Sequence, residues 1–259
     1  MMQNVMRLQD KVAIVTGAGS GIGEATAILF AQQGAKLVLN DIDEASGKRV
    51  LKQVKAAGSK GVLVTGDVSL EETAKALSAA AIKHFKKLDI VVNNAANFTQ
   101  MGVERAEMSD WLKVFGVNVF GPAFICKHSI PHLKKTGKGA IVNVASMSGV
   151  IAQHDFTTYN SSKGAVLQMT RCMALDLAPF NVRVNSVCPG CIDTTATRKE
   201  AKSLGMPYEE WAHNAAVRHM LGRVGEPIEV ANAILFMASD ESSFMTAATI
   251  MVDGGYTEW

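Results

Sequence analysis

Thr16-Gly17-Ala18-Gly19-Ser20-Gly21-Ile22-Gly23 follows an apolar run at residues 12–15 and opens a helical pattern at 22–33, so it reads as a strand-to-helix turn. Glycines there keep Cβ atoms off the backbone, and the N–H groups and dipole at the start of the helix favour a pyrophosphate. A glycine turn by itself also describes any tight connection. Asp41 narrows the reading: it ends the next β-branched run about 20 residues on, where a carboxylate accepts hydrogen bonds from both ribose hydroxyls of an adenosine. Together they predict a nucleotide-binding βαβ unit. Asp67, just past the third run, is placed either to cap the next helix or to touch the adenine, and its position leaves both open.

Outward from this unit, short β-branched runs alternate with longer amphipathic segments. Strands are predicted at 12–16, 36–40, 61–65, 90–93, 140–144, 182–187 and 249–252, and helices at 22–33, 44–57, 71–85, 111–133 and 162–178. Most of the strand runs are continuously apolar, as strands covered on both faces must be. The expectation is one Rossmann-type α/β domain over residues 1–259, a doubly wound parallel sheet of about seven strands flanked by helices. The segment 192–222, rich in Met, Trp and charges, breaks the rhythm and is expected to be a substrate lid.

The composition fits one soluble body: 259 residues, 48% hydrophobic, with 26 Lys and Arg against 24 Asp and Glu for a net charge of +2. That balance leaves no footprint for nucleic acid or an anionic membrane. No stretch approaches the roughly 18 apolar residues of a spanning helix, and no secretory signal is visible. Four cysteines are too few for a disulfide scaffold, which points to a reducing cytoplasm.

In Tyr159-Asn160-Ser161-Ser162-Lys163 a phenol and an ammonium share one helical face within a turn. A neighbouring ammonium favours phenolate, so the pair is expected to act as an acid/base. Tyr and Lys at this spacing are usually surface residues. Ser146, just past the fifth strand, changes the weighing, because the carboxyl ends of parallel strands share one crevice with the glycine turn.

With these residues the chain resembles the short-chain dehydrogenase/reductase family, from Thr16 to Gly255. The matching motifs are Thr16 to Gly23, Asn93-Asn94-Ala95, Asn118, Ser146, Tyr159-x-x-x-Lys163, Pro189-Gly190 with Thr194 beyond, and Val252-Asp253-Gly254-Gly255. Ala96 departs from the family's usual Gly and adds a methyl to the crevice floor. The resemblance implies that Tyr159 exchanges a proton with the substrate oxygen and that Ser146 holds that oxygen. Lys163 would bind the nicotinamide ribose, and Asn118 would anchor a water that relays protons. It further implies a nucleotide site from Gly17, Ser20, Gly21, Ile22, Gly23, Asp41, Asp67, Val68, Asn94, Ala95, Tyr159, Lys163, Pro189, Gly190, Ile192 and Thr194. A homotetramer is implied as well.

Asp41 sets the expected cofactor as NAD, since a 2′-phosphate would meet like charge there and lose the ribose hydrogen bonds. No Lys or Arg stands in the turn or beside Asp41 in sequence, and neither Lys36 nor Lys48 is well placed to clamp that phosphate. The expected reaction interconverts a secondary alcohol and a ketone of sugar or polyol, cyclic diol or hydroxysteroid type. Ser146, Ser148, Gln153, His154 and Tyr159 are expected at the substrate, with Asn97, Phe98, Met147 and the lid around them. Alternatives are a 3-oxoacyl-carrier-protein reductase, disfavoured by Asp41, and a non-catalytic nucleotide-binding protein, disfavoured by the filled motif positions. Cys188-Pro189-Gly190-Cys191 has the spacing of redox and zinc sites, but the Pro-Gly turn accounts for it, and no metal is expected.

Overall fold

The computed structural model describes residues 6–258. Strands β1 (Val12–Thr16), β2 (Lys36–Asp41), β3 (Gly61–Thr65), β4 (Ile90–Asn93), β5 (Ala140–Val144), β6 (Arg183–Pro189) and β7 (Thr249–Val252) form one sheet in the order β3-β2-β1-β4-β5-β6-β7. Every neighbouring pair is parallel. Alternation along each strand sends side chains to two separate cores. Ala13, Val15, Leu37, Leu39, Ile90 and Val92 pack into one, while Val12, Ile14, Val38, Val91 and Ile141 pack into the other.

Helices α1 (Gly21–Gln32), α2 (Glu44–Ala56) and α9 (Pro227–Ala238) cover the first face through Ala27, Phe30, Val50, Val54, Val230 and Ile234. Helices α3 (Glu71–Phe85), α5 (Gly121–Thr136) and α6 (Thr157–Leu177) cover the second through Leu77, Ala81, Ile125, Leu133, Ala174 and Leu177. The chain leaves β1 toward β2 on one side and reaches β4 on the other, so the strand order switches at β1, where α/β sheets open a crevice at their carboxyl edge.

The helix expected at 162–178 begins earlier, at Thr157, so Tyr159 lies within α6, and three further segments differ from expectation. The single helix expected at 111–133 is α4 (Met108–Phe115), a π-helical turn at Gly116–Phe120 and α5, because one wider turn lets the helix re-aim without changing its apolar pattern. The excursion at 192–222 is largely helical, with α7 (Thr195–Ser203) and α8 (Tyr208–Ala216). α7 starts on a box in which Thr194 and Thr197 cap each other's backbone, and α8 buries Trp211. α9 was not assigned from sequence, although Glu226, Pro227 and Glu229 spell a helix start. No helix among the described residues is long and apolar enough to cross a membrane.

Candidate active site

The glycine turn packs closely against the chain after β4. Gly17 has φ +60°, and a Cβ on it would lie 2.9 Å from the Ala95 Cα; a Cβ on Gly23 would lie 2.0 Å from the Gly17 carbonyl oxygen. Asn94 fastens the contact by donating from Nδ2 to the carbonyls of Thr16 (2.9 Å) and Gly17 (3.1 Å). Thr16 Oγ1 in turn accepts from the N–H groups of Asn94 (3.0 Å) and Ala95 (3.1 Å). The cleft left above this floor, about 950 Å³, is lined by Gly17, Ser20, Gly21, Ile22, Asp41, Asp67, Val68, Asn94, Ala95 and Thr194. Gly23 lies buried beneath it as the packing point.

Asp41 stands at the end of β2 with its carboxylate held by two backbone donors, Gly19 N–H at 2.7 Å and Asp43 N–H at 2.9 Å. Two bonds leave acceptor capacity on both oxygens. Arg49, which the sequence reading overlooked, also lines the cleft: its guanidinium reaches over from α2 to donate to the Gly19 carbonyl (2.8 Å) and pairs with Glu24. A cation therefore does reach the glycine turn, and Glu24 takes up its charge. Asp67 Oδ1 accepts from Ser69 N–H at 2.8 Å, an Asx turn ahead of α3 whose cap position is Leu70, while the residue also lines the cleft.

Ile22, Asn94 and Thr194 border both this cleft and a second cavity of about 230 Å³ that holds Ser146, Tyr159, Lys163, Pro189, Gly190 and Ile192. Ser146 follows β5 at the start of a 3-10 turn and accepts from Ser148 N–H at 3.1 Å. Tyr159 is buried, boxed by the edges of Phe98 and Phe156 with ring centroids 4.7 and 6.4 Å away. Lys163 is buried too. It donates from Nζ to the Val144 carbonyl at 2.9 Å and lies 5.6 Å from the Tyr159 ring centre.

This geometry corrects the expected charge logic. Burial raises the Tyr159 pKa above that of free tyrosine, the Ser146 hydroxyl opposes it, and the Glu200 charge adds to the rise. Burial also lowers the Lys163 ammonium to about 8. Desolvation outweighs any push toward phenolate, because the ammonium faces a backbone carbonyl.

Asn118 sits in the π-helical turn, and its side chain spends both donors and one of its two acceptor sites away from Lys163. Oδ1 accepts from Asn97 N–H (2.7 Å), and Nδ2 donates to the Asn97 carbonyl and to Ser162 Oγ (3.0 Å each). Ser162 Oγ donates to the Tyr159 carbonyl at 2.7 Å, so Asn118 ties the loop after β4 to the turn of α6 that carries Tyr159 and Lys163. No hydrogen bond runs from Asn118 to Lys163 among the described residues.

Of the residues expected at the substrate, Ser148, Gln153, Phe98 and Met147 line the cavity, and Ser148 Oγ donates to Gln153 Oε1 at 2.7 Å. His154 does not: it is exposed, on a turn closed by Asp155 at φ +61°. Asn97 lines the larger cleft instead. His219 is a buried packing residue whose ring bonds the Cys191 N–H and the Ala215 carbonyl. Burial pushes the thiols of Cys188 and Cys191 up to about 11, so both are protonated at neutral pH. Phe156, Trp211 and Glu200 complete the wall, and only proximity in the fold identifies them individually.

A family model described as enoyl-(acyl carrier protein) reductase matches residues 17–257. The chain is a short-chain dehydrogenase/reductase. Cis-4-hydroxycyclohexanecarboxylate dehydrogenase of Sinomonas cyclohexanicum is 38% identical to it, over 96% of this chain and 97% of that one. The 3-oxoacyl-[acyl-carrier-protein] reductase FabG of Thermotoga maritima is 38% identical over 96% of this chain and 99% of that one. The ligand-free structure of Thermoplasma acidophilum aldohexose dehydrogenase superposes with a TM-score of 0.89 at 34% identity, covering 98% and 96% of the two chains. This dehydrogenase is thus an oxidoreductase acting on CH–OH groups, in a family whose members' names span cyclic, acyl and sugar substrates.

Proposed function

We propose that this dehydrogenase interconverts a secondary alcohol and a ketone with NAD, on a sugar or polyol, a cyclic diol or a hydroxysteroid. One observation carries the reading: Ser146, Tyr159 and Lys163 share a cavity that opens, past Ile22, Asn94 and Thr194, into the cleft of the glycine turn. That cleft fits a dinucleotide, since its floor is glycine backbone with no room for Cβ atoms and its far end carries the Asp41 carboxylate. A nicotinamide dinucleotide bound there supplies the hydride acceptor or donor.

The chain's own residues then have proton and orientation work to do. Tyr159 exchanges the proton with the substrate oxygen and Ser146 holds that oxygen by a hydrogen bond. Lys163 binds the nicotinamide ribose, and Asn118 anchors a water that carries protons outward. Asp41 takes the ribose hydroxyls, which favours NAD over NADP and weighs against an NADPH-dependent 3-oxoacyl reductase. The segment 192–222 closes as a lid, and the protein works in the cytoplasm as a homotetramer.

The test is nicotinamide absorbance over a panel of secondary alcohols with NAD or NADP, in wild type and Asp41→Ala. The expected NAD preference in kcat/KM is roughly 10²-fold or more, shrinking in the variant, since charge repulsion and lost hydrogen bonds each contribute a factor of about ten or more. Equal use of NADP by wild type contradicts the assignment of Asp41.

A further inference from the structure

We infer that Glu200 selects the substrate, accepting a hydrogen bond from a second hydroxyl of a diol or polyol and turning away hydroxy acids. This rests on the alcohol dehydrogenase reading above and names the substrate class of the same cavity.

Beyond the reacting groups, the cavity wall is largely apolar, with Phe98, Phe156 and Trp211. Its polar groups are mostly spent. Thr197 Oγ1 donates to the Ile192 carbonyl at 2.9 Å, and Ser148 Oγ donates to Gln153 Oε1. Apart from Asn94 and Thr194 at the mouth of the nucleotide cleft, two polar groups keep capacity. The Gln153 amide has its oxygen occupied by Ser148, which leaves its NH₂ end to donate. Glu200, on α7, has a single hydrogen bond among the described residues, from Gln100 Nε2 to Oε1 at 2.7 Å. A carboxylate has about four acceptor sites, so most of its capacity is unspent.

An unspent acceptor and an unspent donor lining one cavity suit a substrate hydroxyl, which both donates and accepts. A substrate ammonium would satisfy the carboxylate but offer nothing to Gln153, and a substrate carboxylate would meet like charge in a partly desolvated place. Burial raises the Glu200 pKa, against the Gln100 bond, and its charge in turn raises the Tyr159 pKa, so the carboxylate acts electrostatically within the reacting cavity. A site built to bond a hydroxyl also rejects analogues that lack one more strongly than an apolar wall does.

The experiment measures kcat/KM with NAD for cyclohexanol, the cyclohexanediols, 4-aminocyclohexanol and 4-hydroxycyclohexanecarboxylate, in wild type, Glu200→Gln and Gln100→Ala. In wild type at least one diol is expected to exceed cyclohexanol by roughly tenfold or more, with the hydroxy acid the poorest. Glu200→Gln keeps an amide that Gln100 can still bond but removes the charge. It is expected to cut the diol-to-cyclohexanol ratio by about tenfold, raise the hydroxy-acid ratio, and move the pH profile of oxidation to lower pH. Lys163 and Cys188, which also face Tyr159, are untouched by it. Gln100→Ala keeps the charge and should still reject the hydroxy acid.

An active enzyme whose ratios and pH profile are unchanged in Glu200→Gln overturns this inference alone. So does a matching loss in both variants, which would assign the effect to the bond between loop and α7, and so does a preference for the amino alcohol. A wild type inactive on every alcohol with NAD overturns the dehydrogenase reading itself, and this inference with it.

Discussion

Tyr159 and Lys163 lie where burial raises the phenol and lowers the ammonium to about 8, so the pair loses its first proton there, from Lys163. Below that pH it holds both protons. Above it, one has left and the site can accept a proton from an alcohol. Oxidation in the chemical step should therefore rise with pH through a window near 8, well below free tyrosine, while ketone reduction falls through the same window. A pH–rate profile flat from about pH 6 to 10 in both directions contradicts this assignment. At this scale the sequence carried the residues that motifs name, since TGxxxGxG, Ser146 and YxxxK are set by local turns. It did not carry Arg49 or Glu200, whose roles depend on long side chains crossing between elements, nor the exposure of His154 on the turn ahead of α6.

Among the elements, β1, β4 and β5 were legible to the residue because a strand buried on both faces is mostly apolar along its length, and the edge strands β3 and β7, though only partly buried, keep short β-branched runs bounded by polar or glycine residues. The π-helical turn was not, since one wider turn leaves the apolar spacing almost intact. The helices α7 and α8 are not told apart within the expected lid at 192–222, where the Thr194 cap is the available helix signal. These two helices carry Thr197, Glu200 and Trp211 to the cavity. If they form a lid, protease nicking within residues 192–222 should slow when NAD and a substrate alcohol are both present, since opening costs more once contacts are made. Nicking unchanged by ligands contradicts the lid.

For the whole molecule, the doubly wound topology puts the carboxyl ends of β1, β2, β4, β5 and β6 along one edge, which is why residues as distant as Gly17 and Thr194 border one cleft. The outer surfaces keep large apolar side chains exposed: Phe120 in the π-helical turn, Leu175 on α6, and Phe244 shortly before the edge strand β7. Apolar groups on α6, in the π-helical turn and near the edge of the sheet suit contacts between copies of the chain. Light scattering should give four times the subunit mass of 27.6 kDa; the mass of one subunit refutes the tetramer.

Whether Tyr159 is the proton-exchanging group of a hydride-transfer enzyme is tested by Tyr159→Phe, which removes one hydroxyl and leaves the ring packed between Phe98 and Phe156. Measured with NAD and an alcohol the wild type oxidises, turnover should fall by roughly 10²- to 10⁴-fold while NAD affinity and the melting temperature hold. Turnover near that of wild type in a folded, NAD-binding variant would contradict the account.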